Sequence, residues 1–408
     1  MSEESMRPIR DTLPFDDALA VLLGAATPIE ATERVPLEDA DGRVVAHDLV
    51  ASADVPPFDR AAMDGYAVVA DDTFGAGPHA PRVVRRIEKV YTGEVPTRAV
   101  APGECTEIAT GAPMPQGATA VVTVEETERG EGDEVRIFTP VYPGQNVGRR
   151  GADIAAGRTV VGEGTLITPS VIGAIAAIGI AEAPVYRKPR VAILSTGNEI
   201  VEPGRPLAPG QIYDINRFTL AAIIARHGGV PVPQPIAADT VQALEAAIER
   251  ALEYDAIVFS GGSSVGERDL IMDVLRRTGE VFFHGVAHKP GKPTVFGKVN
   301  DTPVLGMPGY PTSCLSNAYM LLVPLLRRMA RLPEYQPQTV RVPLARRVVS
   351  TTGRHQFYTV RVQDGMAQPA FKASGDITSM ADADGYIEIP AQTDILEAGE
   401  LVDVKLFT

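Results

Sequence analysis

The chain is short of cysteine, of long apolar runs and of positive charge. Its 408 residues include two cysteines, Cys105 and Cys314, far apart in sequence. A disulfide framework is therefore not expected, and a reducing cytoplasm is the natural setting. The longest apolar run, Val171–Ile180, contains two glycines and is far too short to span a bilayer. The opening MSEESMRPIRDTLPF lacks the apolar core of a signal peptide. Lys and Arg number 38 against 52 Asp and Glu, a net charge of −14. That balance argues against nucleic acid as a partner. A site for an anionic ligand must then be a local basic pocket in an acidic protein.

Several motifs are also missing. The string GGSSVGERD (261–269) lacks the GK[ST] ending of a nucleotide-binding P-loop. No GxGxxG followed by a ribose-binding acid is present, which disfavours dinucleotide redox chemistry. No Ser/His/Asp set or cysteine nucleophile emerges. Repeats, low-complexity tracts and long linkers are absent as well.

What is present suits two to four domains, at roughly 100–200 residues each. Residues 12–24 (TLPFDDALAVLLG) predict a helix, with Thr12 as N-cap, Pro14 in the first turn and Gly24 as stop. Asp16 and Asp17 suit the positive end of its dipole. Segments 10–50 and 145–188 have mixed character, with a helix at 169–179, and predict one discontinuous domain. Between them, 51–144 alternates short β-rich runs with Gly/Pro turns, an inserted mostly-β module.

Residues 189–331 alternate strands (RVAIL, AIVFS, VFFHGV, TPVLGM) with helices, the mark of a three-layer α/β domain on a mostly parallel sheet. Asn216 is the expected N-cap and Gly228 the stop of its first helix. Pro324 should kink its last helix. Residues 335–408 predict a small β domain. The fold class is multidomain α/β plus β.

Ligands of open parallel sheets bind beyond the carboxyl ends of the strands. Four polar loops meet that condition: STGNE (195–199), GGSSVGERD, AHKPGKP (287–293) and PGYPTS (308–313). Ser260, Ser263 and Ser264 can donate hydroxyls to phosphate oxygens. Gly261, Gly262 and Gly266 let a phosphate approach backbone N–H groups. Lys289 and Lys292 add point charges on a turn stiffened by Pro290 and Pro293. Glu199, Asp239 and Asp269 fall near the same rim and suit Mg²⁺. Asp239 and Asp269 also precede helices, so N-capping is the alternative reading of each. His284 and His288 read as polar strand-end residues rather than metal ligands. Elsewhere, Asp59, Asp64 and Gly65 sit in a turn before a strand, and Arg149, Arg150 and Asp153 lie on a polar loop.

In order, PPFDRAAMDGYAV, IATGAPMPQGA, GQNVGRRGADI, STGNEIV, SGGSSVGERD, KPGKP and GMPGYPTSC resemble the molybdopterin molybdenumtransferase family. Its animal relative is the C-terminal part of gephyrin. The resemblance covers about residues 12–400. It implies four domains per subunit, the α/β domain being the molybdopterin-binding one and the C-terminal domain barrel-like. It also implies an elongated homodimer, with a site between the α/β domain of one subunit and the inserted module of the other.

The implied reaction converts adenylylated molybdopterin and molybdate, or tungstate in its place, to molybdenum cofactor with release of AMP and a need for Mg²⁺. Carried over position by position, the catalytic set is Asp64, Thr110, Asp153, Glu199 and Asp269. The substrate set is Ser195, Thr196, Gly197, Ser260, Gly261, Gly262, Ser264, Gly266, Asp239, Lys289, Lys292, Pro293, Pro308, Pro311, Ser313 and Ser374. Contacts with other proteins of cofactor synthesis are a further implied partnership.

Three positions depart from the family pattern: Ser263 for Val, Tyr310 for Asn, and Thr359 for an Arg that Arg361 would have to replace. Two alternatives to metal insertion stand beside it. An adenylyltransferase acting on molybdopterin would need only the α/β domain, and a gephyrin-like scaffold would not need the intact acids.

Overall fold

The computed structural model describes residues 11–261 and 270–407. Packing divides the chain into two compact units. Residues 34–41 and 45–184 form the smaller, and the rest form the larger.

Helix α1 (Phe15–Ala25), in the larger unit, starts later than the sequence predicts. The Leu13 N–H donates to Gly285 O (3.0 Å) and the Ala287 N–H donates to Leu13 O (2.8 Å), so Thr12 lies in extended chain and Pro14 takes the capping position. Gly24 lies inside the helix rather than ending it.

The smaller unit is built on β1 (Gly65–Val68), β2 (Arg82–Val90), β3 (Glu104–Ile108), β4 (Ala120–Thr123), β5 (Thr127–Arg129) and β6 (Glu134–Ile137). They form one sheet in the order β4-β1-β3-β2-β6-β5, with β2 and β3 parallel and the other pairs antiparallel. Its apolar face buries Tyr66, Val68, Val84, Val122 and Ile137. Gly65 opens β1 because a Cβ there would lie 1.9 Å from Val122 O. Helix α2 (Pro169–Ala177) is capped by Thr168, whose hydroxyl accepts from Val171 N–H.

The larger unit carries β7 (Arg190–Ser195), α3 (Asn216–Arg226), β8 (Val230–Pro233), α4 (Val241–Ala251), β9 (Ala256–Ser260), α5 (Leu270–Thr278), β10 (Glu280–His284), β11 (His288–Lys289), β12 (Val295–Val299) and β13 (Thr302–Met307). Their main sheet runs β8-β7-β9-β13-β12-β10. The first four strands are parallel, and β12 is antiparallel to both neighbours. Strand β10 therefore points the same way as β13, and the loops after β7, β9, β10 and β13 leave one edge. The sequence reading lacks β12. It is the first arm of a hairpin turned by Asn300 and Asp301, with left-handed φ of 48° and 67°. Helices α1 and α3 pack on one face and α4 and α5 on the other, each over its own apolar cluster.

Two helix details correct the expectation. Asn216 is the first residue of α3, and Asp214 does the capping, its Oδ1 accepting from Arg217 N–H at 3.0 Å. Around Pro324 the chain runs as α6 (Pro311–Asn317), a π-helical stretch (Ala318–Leu322) and α7 (Val323–Met329). The wider turn, rather than a bare kink, precedes the proline that lacks an N–H.

The C-terminal segment contributes β14 (Thr339–Pro343), β15 (His355–Gln363), β16 (Met366–Pro369), β17 (Gly385–Ile389) and β18 (Leu401–Leu406). The order is β11-β15-β17-β18-β14, with β16 on β15. A parallel bridge from Leu344 to Ala367 joins the β14 end to β16. Strand β11 thus comes from the α/β segment but pairs with β15.

Candidate active site

The shared strand edge gathers the polar loops through backbone contacts. Ser195 and Ser260 are opposite each other in the β7–β9 pairing. Thr196 N–H donates to Ser260 O (3.1 Å), and Ala237 N–H donates to Ser195 O (3.0 Å). STGNE, the end of β9 and the segment leading to Asp239 therefore lie side by side. Glycine makes this approach close. Gly261 has φ of 99°, and a Cβ there would sit 2.6 Å from Thr196 O. Gly197 has φ of 145°, and a Cβ there would meet the Glu199 carboxylate at 2.9 Å. Gly262, Ser263, Ser264, Gly266 and Asp269 lie outside the described residues.

Asp239 is not a helix cap. Thr240 caps α4, accepting from Ala243 N–H at 3.2 Å, which leaves Asp239 without that role. Asp239 is half-buried. Burial first, then the negative charge of Glu199, push its carboxyl above the ordinary value, and the Thr196 hydroxyl only partly offsets them. Among the described residues its Oδ1 has no hydrogen-bond partner, and neither do Ser195 Oγ, Asp214 Oδ2 and Asn216 Oδ1. Each such group costs about 1–3 kcal/mol if it stays unsatisfied. A set of them on one rim marks a place for a ligand. A carboxyl whose charge is disfavoured by burial and by the neighbouring Glu199 fits Mg²⁺, which takes one or two carboxylates plus substrate oxygens. Among the described residues no cluster of three or more His, Cys, Asp or Glu is assembled for a metal.

The lysine loop is tied to α6. Asn317, fully buried, donates Nδ2 to Gly291 O (3.2 Å) and to Thr294 Oγ1 (2.5 Å). Ser316 Oγ donates to Pro290 O (3.3 Å). The first turn of α6 carries Pro311 and the buried Ser313, next to the buried Pro308. Thr312 N–H donates to Ser374 O at 3.1 Å, which brings Ser374 to the PTS turn. Asn216 Nδ2 donates to Gly309 O at 2.8 Å and ties this loop to α3. KPGKP, PGYPTS and Ser374 thus form one connected group with Pro293 at its edge. His288 is a packing residue beside it. Its ring lies against Phe15 (5.5 Å between centroids), and burial pushes its imidazole down to about 3.

In the smaller unit Asp64 and Thr110 come together. Thr110 donates its N–H (2.7 Å) and its hydroxyl (2.9 Å) to Asp64 Oδ1. These two bonds, the backbone one first, hold the exposed Asp64 carboxyl below its ordinary value. Asp64 lines a cavity of about 570 Å³ with Tyr66, Lys89, Tyr91, Glu107 and Arg129. Glu107 accepts from Arg86 (2.7 Å), Lys89 (3.0 Å) and Arg129 (2.7 Å). Asp153 is exposed beside the Val55–Ile154 bridge. The neighbouring arginines are committed, Arg149 to Asp59 (3.0 Å) and Arg150 to Asp54 (2.6 Å).

Comparison with known proteins places the chain in a family. Residues 13–179 match the MoeA N-terminal region (domain I and II), 192–328 a probable molybdopterin binding domain, and 341–407 the MoeA C-terminal region (domain IV). Molybdopterin molybdenumtransferase 2 of Mycobacterium tuberculosis is 38% identical, over 97% of this chain and 99% of its own. The chain belongs to the molybdopterin molybdenumtransferase family. A further member, from Haemophilus influenzae, is 31% identical over 97% of this chain and 98% of its own. A solved molybdopterin biosynthesis MoeA protein from Pyrococcus horikoshii is 42% identical, with a TM-score of 0.85, over 98% of this chain and 100% of that one.

Sequence reasoning missed Asp214, Asn317 and the Lys89, Glu107, Arg129 group. Asp214 stands two residues before Asn216 in YDIN, and an Asp two positions ahead of a helix start is a capping signal that could have found it. The others carry no local signal.

Proposed function

We propose that the chain inserts molybdenum from molybdate into adenylylated molybdopterin, hydrolysing the pyrophosphate and releasing AMP, as a homodimer. Family membership supports a role in molybdenum cofactor biosynthesis. The observation that carries the finer reading is the rim of buried polar groups without partners among the described residues, with Asp239 raised by burial and by Glu199, beside a two-lysine loop.

On this reading the pyrophosphate lies against Ser260, Gly261 and the glycine-rich segment that follows. Ser195, Thr196 and Gly197 border it. Glu199, Asp239 and Asp269 would hold Mg²⁺, which neutralises charge on the phosphoanhydride when bound. Lys289 and Lys292 attract molybdate as point charges, with Ser313 and Ser374 supplying polar contacts. Asp64, kept ionised and oriented by Thr110, is an acceptor that can orient the attacking water, and Asp153 acts alongside it. Cys105 and Cys314 have no part in this chemistry. Both are buried free thiols, and burial pushes Cys105 up to about 12 and Cys314 higher still.

The decisive experiment incubates the protein with adenylylated molybdopterin, molybdate and Mg²⁺ and follows AMP. Molybdate-dependent AMP release is expected. Its absence with both molybdate and tungstate would sink this reading, and ATP consumption with free molybdopterin would favour adenylyl transfer instead.

A further inference from the structure

Lys289 ends β11, a strand that belongs to the C-terminal sheet and not to the α/β sheet. Parallel pairing with β15 sets Lys289 opposite Gln356, and His355 N–H donates to Ala287 O at 2.9 Å. This delivers the lysine to the loop before β15, where Lys289 Nζ donates to Thr351 Oγ1 at 2.7 Å. The loop is held on both sides of Thr351. Ser350 Oγ donates to Gln356 Oε1 (3.0 Å), Ser350 N–H donates to Asp394 O (2.7 Å), and Thr352 Oγ1 donates to Asp394 Oδ1 (2.6 Å). Among the described residues no carboxylate pairs with Lys289. Thr359 is fully buried and Arg361 donates Nε to Asp382 O at 2.9 Å. Among the described residues, Thr351 is the C-terminal residue that hydrogen-bonds the Lys289 ammonium.

A neutral acceptor does two things for an ammonium. It fixes the long, rotamer-rich side chain before the ligand arrives, which lowers the ordering cost of binding. It also leaves the full positive charge for the ligand, which a carboxylate partner would cancel. We propose that Thr351 is a positioning residue for the oxyanion: its hydroxyl presets Lys289, so the C-terminal segment sets how tightly molybdate is held. This rests on the reading of Lys289 as an oxyanion ligand.

The test measures AMP release against molybdate concentration for wild type, Thr351→Val, Thr351→Ser and Thr351→Asp. Thr351→Val should raise the KM for molybdate about 5- to 10-fold, the scale of one net hydrogen bond, while kcat and the KM for adenylylated molybdopterin stay put. Thr351→Ser should restore wild-type KM, and Thr351→Asp should raise KM beyond Thr351→Val. A wild-type KM in Thr351→Val would overturn the proposal, as would a Thr351→Ser enzyme as impaired as Thr351→Val. A fall in kcat with unchanged KM would overturn it too. Lack of molybdate-dependent AMP release in wild type is a different failure, that of the underlying function.

Discussion

In the smaller unit Asp64 is exposed, accepts two hydrogen bonds from Thr110, and is held below the usual carboxylate range. In the larger unit Asp239 is half-buried, has an Oδ1 with no hydrogen-bond partner among the described residues, and is pushed above that range by burial and the negative Glu199. The first carboxylate is complete without a ligand. The second is stabilised only when something positive arrives. Two acids carried into one site by resemblance thus differ in physical state. Asp64 suits the orienting of water at constant charge, and Asp239 suits the holding of a cation.

The contrast is sharpest when the charge is removed from each. A raised folded-state pKa means that ionising Asp239 opposes folding, so its ionised form lowers stability at pH 7. Asp239→Asn should therefore raise the melting temperature while lowering AMP release on the order of 10²- to 10³-fold. Mg²⁺ should raise the melting temperature of wild type and leave that of Asp239→Asn unchanged. A variant that melts lower, or that still gains stability from Mg²⁺, would remove Asp239 from the cation site. Asp64→Asn should behave in the opposite sense. A lowered folded-state pKa means that the ionised form favours folding at pH 7, so this variant should melt slightly lower. Its AMP release should fall about 10²-fold, the range of a lost acid–base group. Equal stability changes in the two variants would dissolve the contrast.

The two regions also differ in how far they can be read from sequence. STGNE, GGSSVGERD, KPGKP and PGYPTS each follow a strand, so the strand-end rule gathers them on one rim without knowing any side-chain contact. The contacts that set the rim are long-range. Asn317 reaches Gly291 across 26 positions, and Lys289 reaches Thr351 across 62. No local period encodes either pair. The membership of β11 in the C-terminal sheet escapes notice for the same reason, since two residues pair with a strand that arrives much later. Strand β12 was legible in principle, because Asn-Asp between two apolar runs is a hairpin turn, but the glycine and lysine in VFGKV weaken its alternation. The Glu107 cluster is the least legible. Arg86, Lys89 and Arg129 meet on one carboxylate only because β2, β3 and β5 belong to one sheet.

The smallest expected effect isolates how Asp64 is held. Thr110→Val removes the hydroxyl donor and keeps the stronger backbone one, so the Asp64 pKa should rise part of the way back toward its ordinary value. Activity that needs ionised Asp64 is lost as pH falls through the folded-state pKa. With that pKa raised, the acid limb of kcat/KM for AMP release should begin at a higher pH. Near pH 7 the carboxylate stays ionised in both proteins, so only the orienting bond is missing, and the rate should fall about threefold. The stability that Asp64 contributes is present above its unfolded-state pKa and lost as pH falls through the folded one. The variant should therefore melt like wild type at the acid end and slightly below it at neutral pH. Thr110→Ser, which keeps a hydroxyl, should recover the wild-type limb. An acid limb that does not move in Thr110→Val would mean that some other group sets it, and Asp64 would lose its place as the ionised acceptor in this comparison.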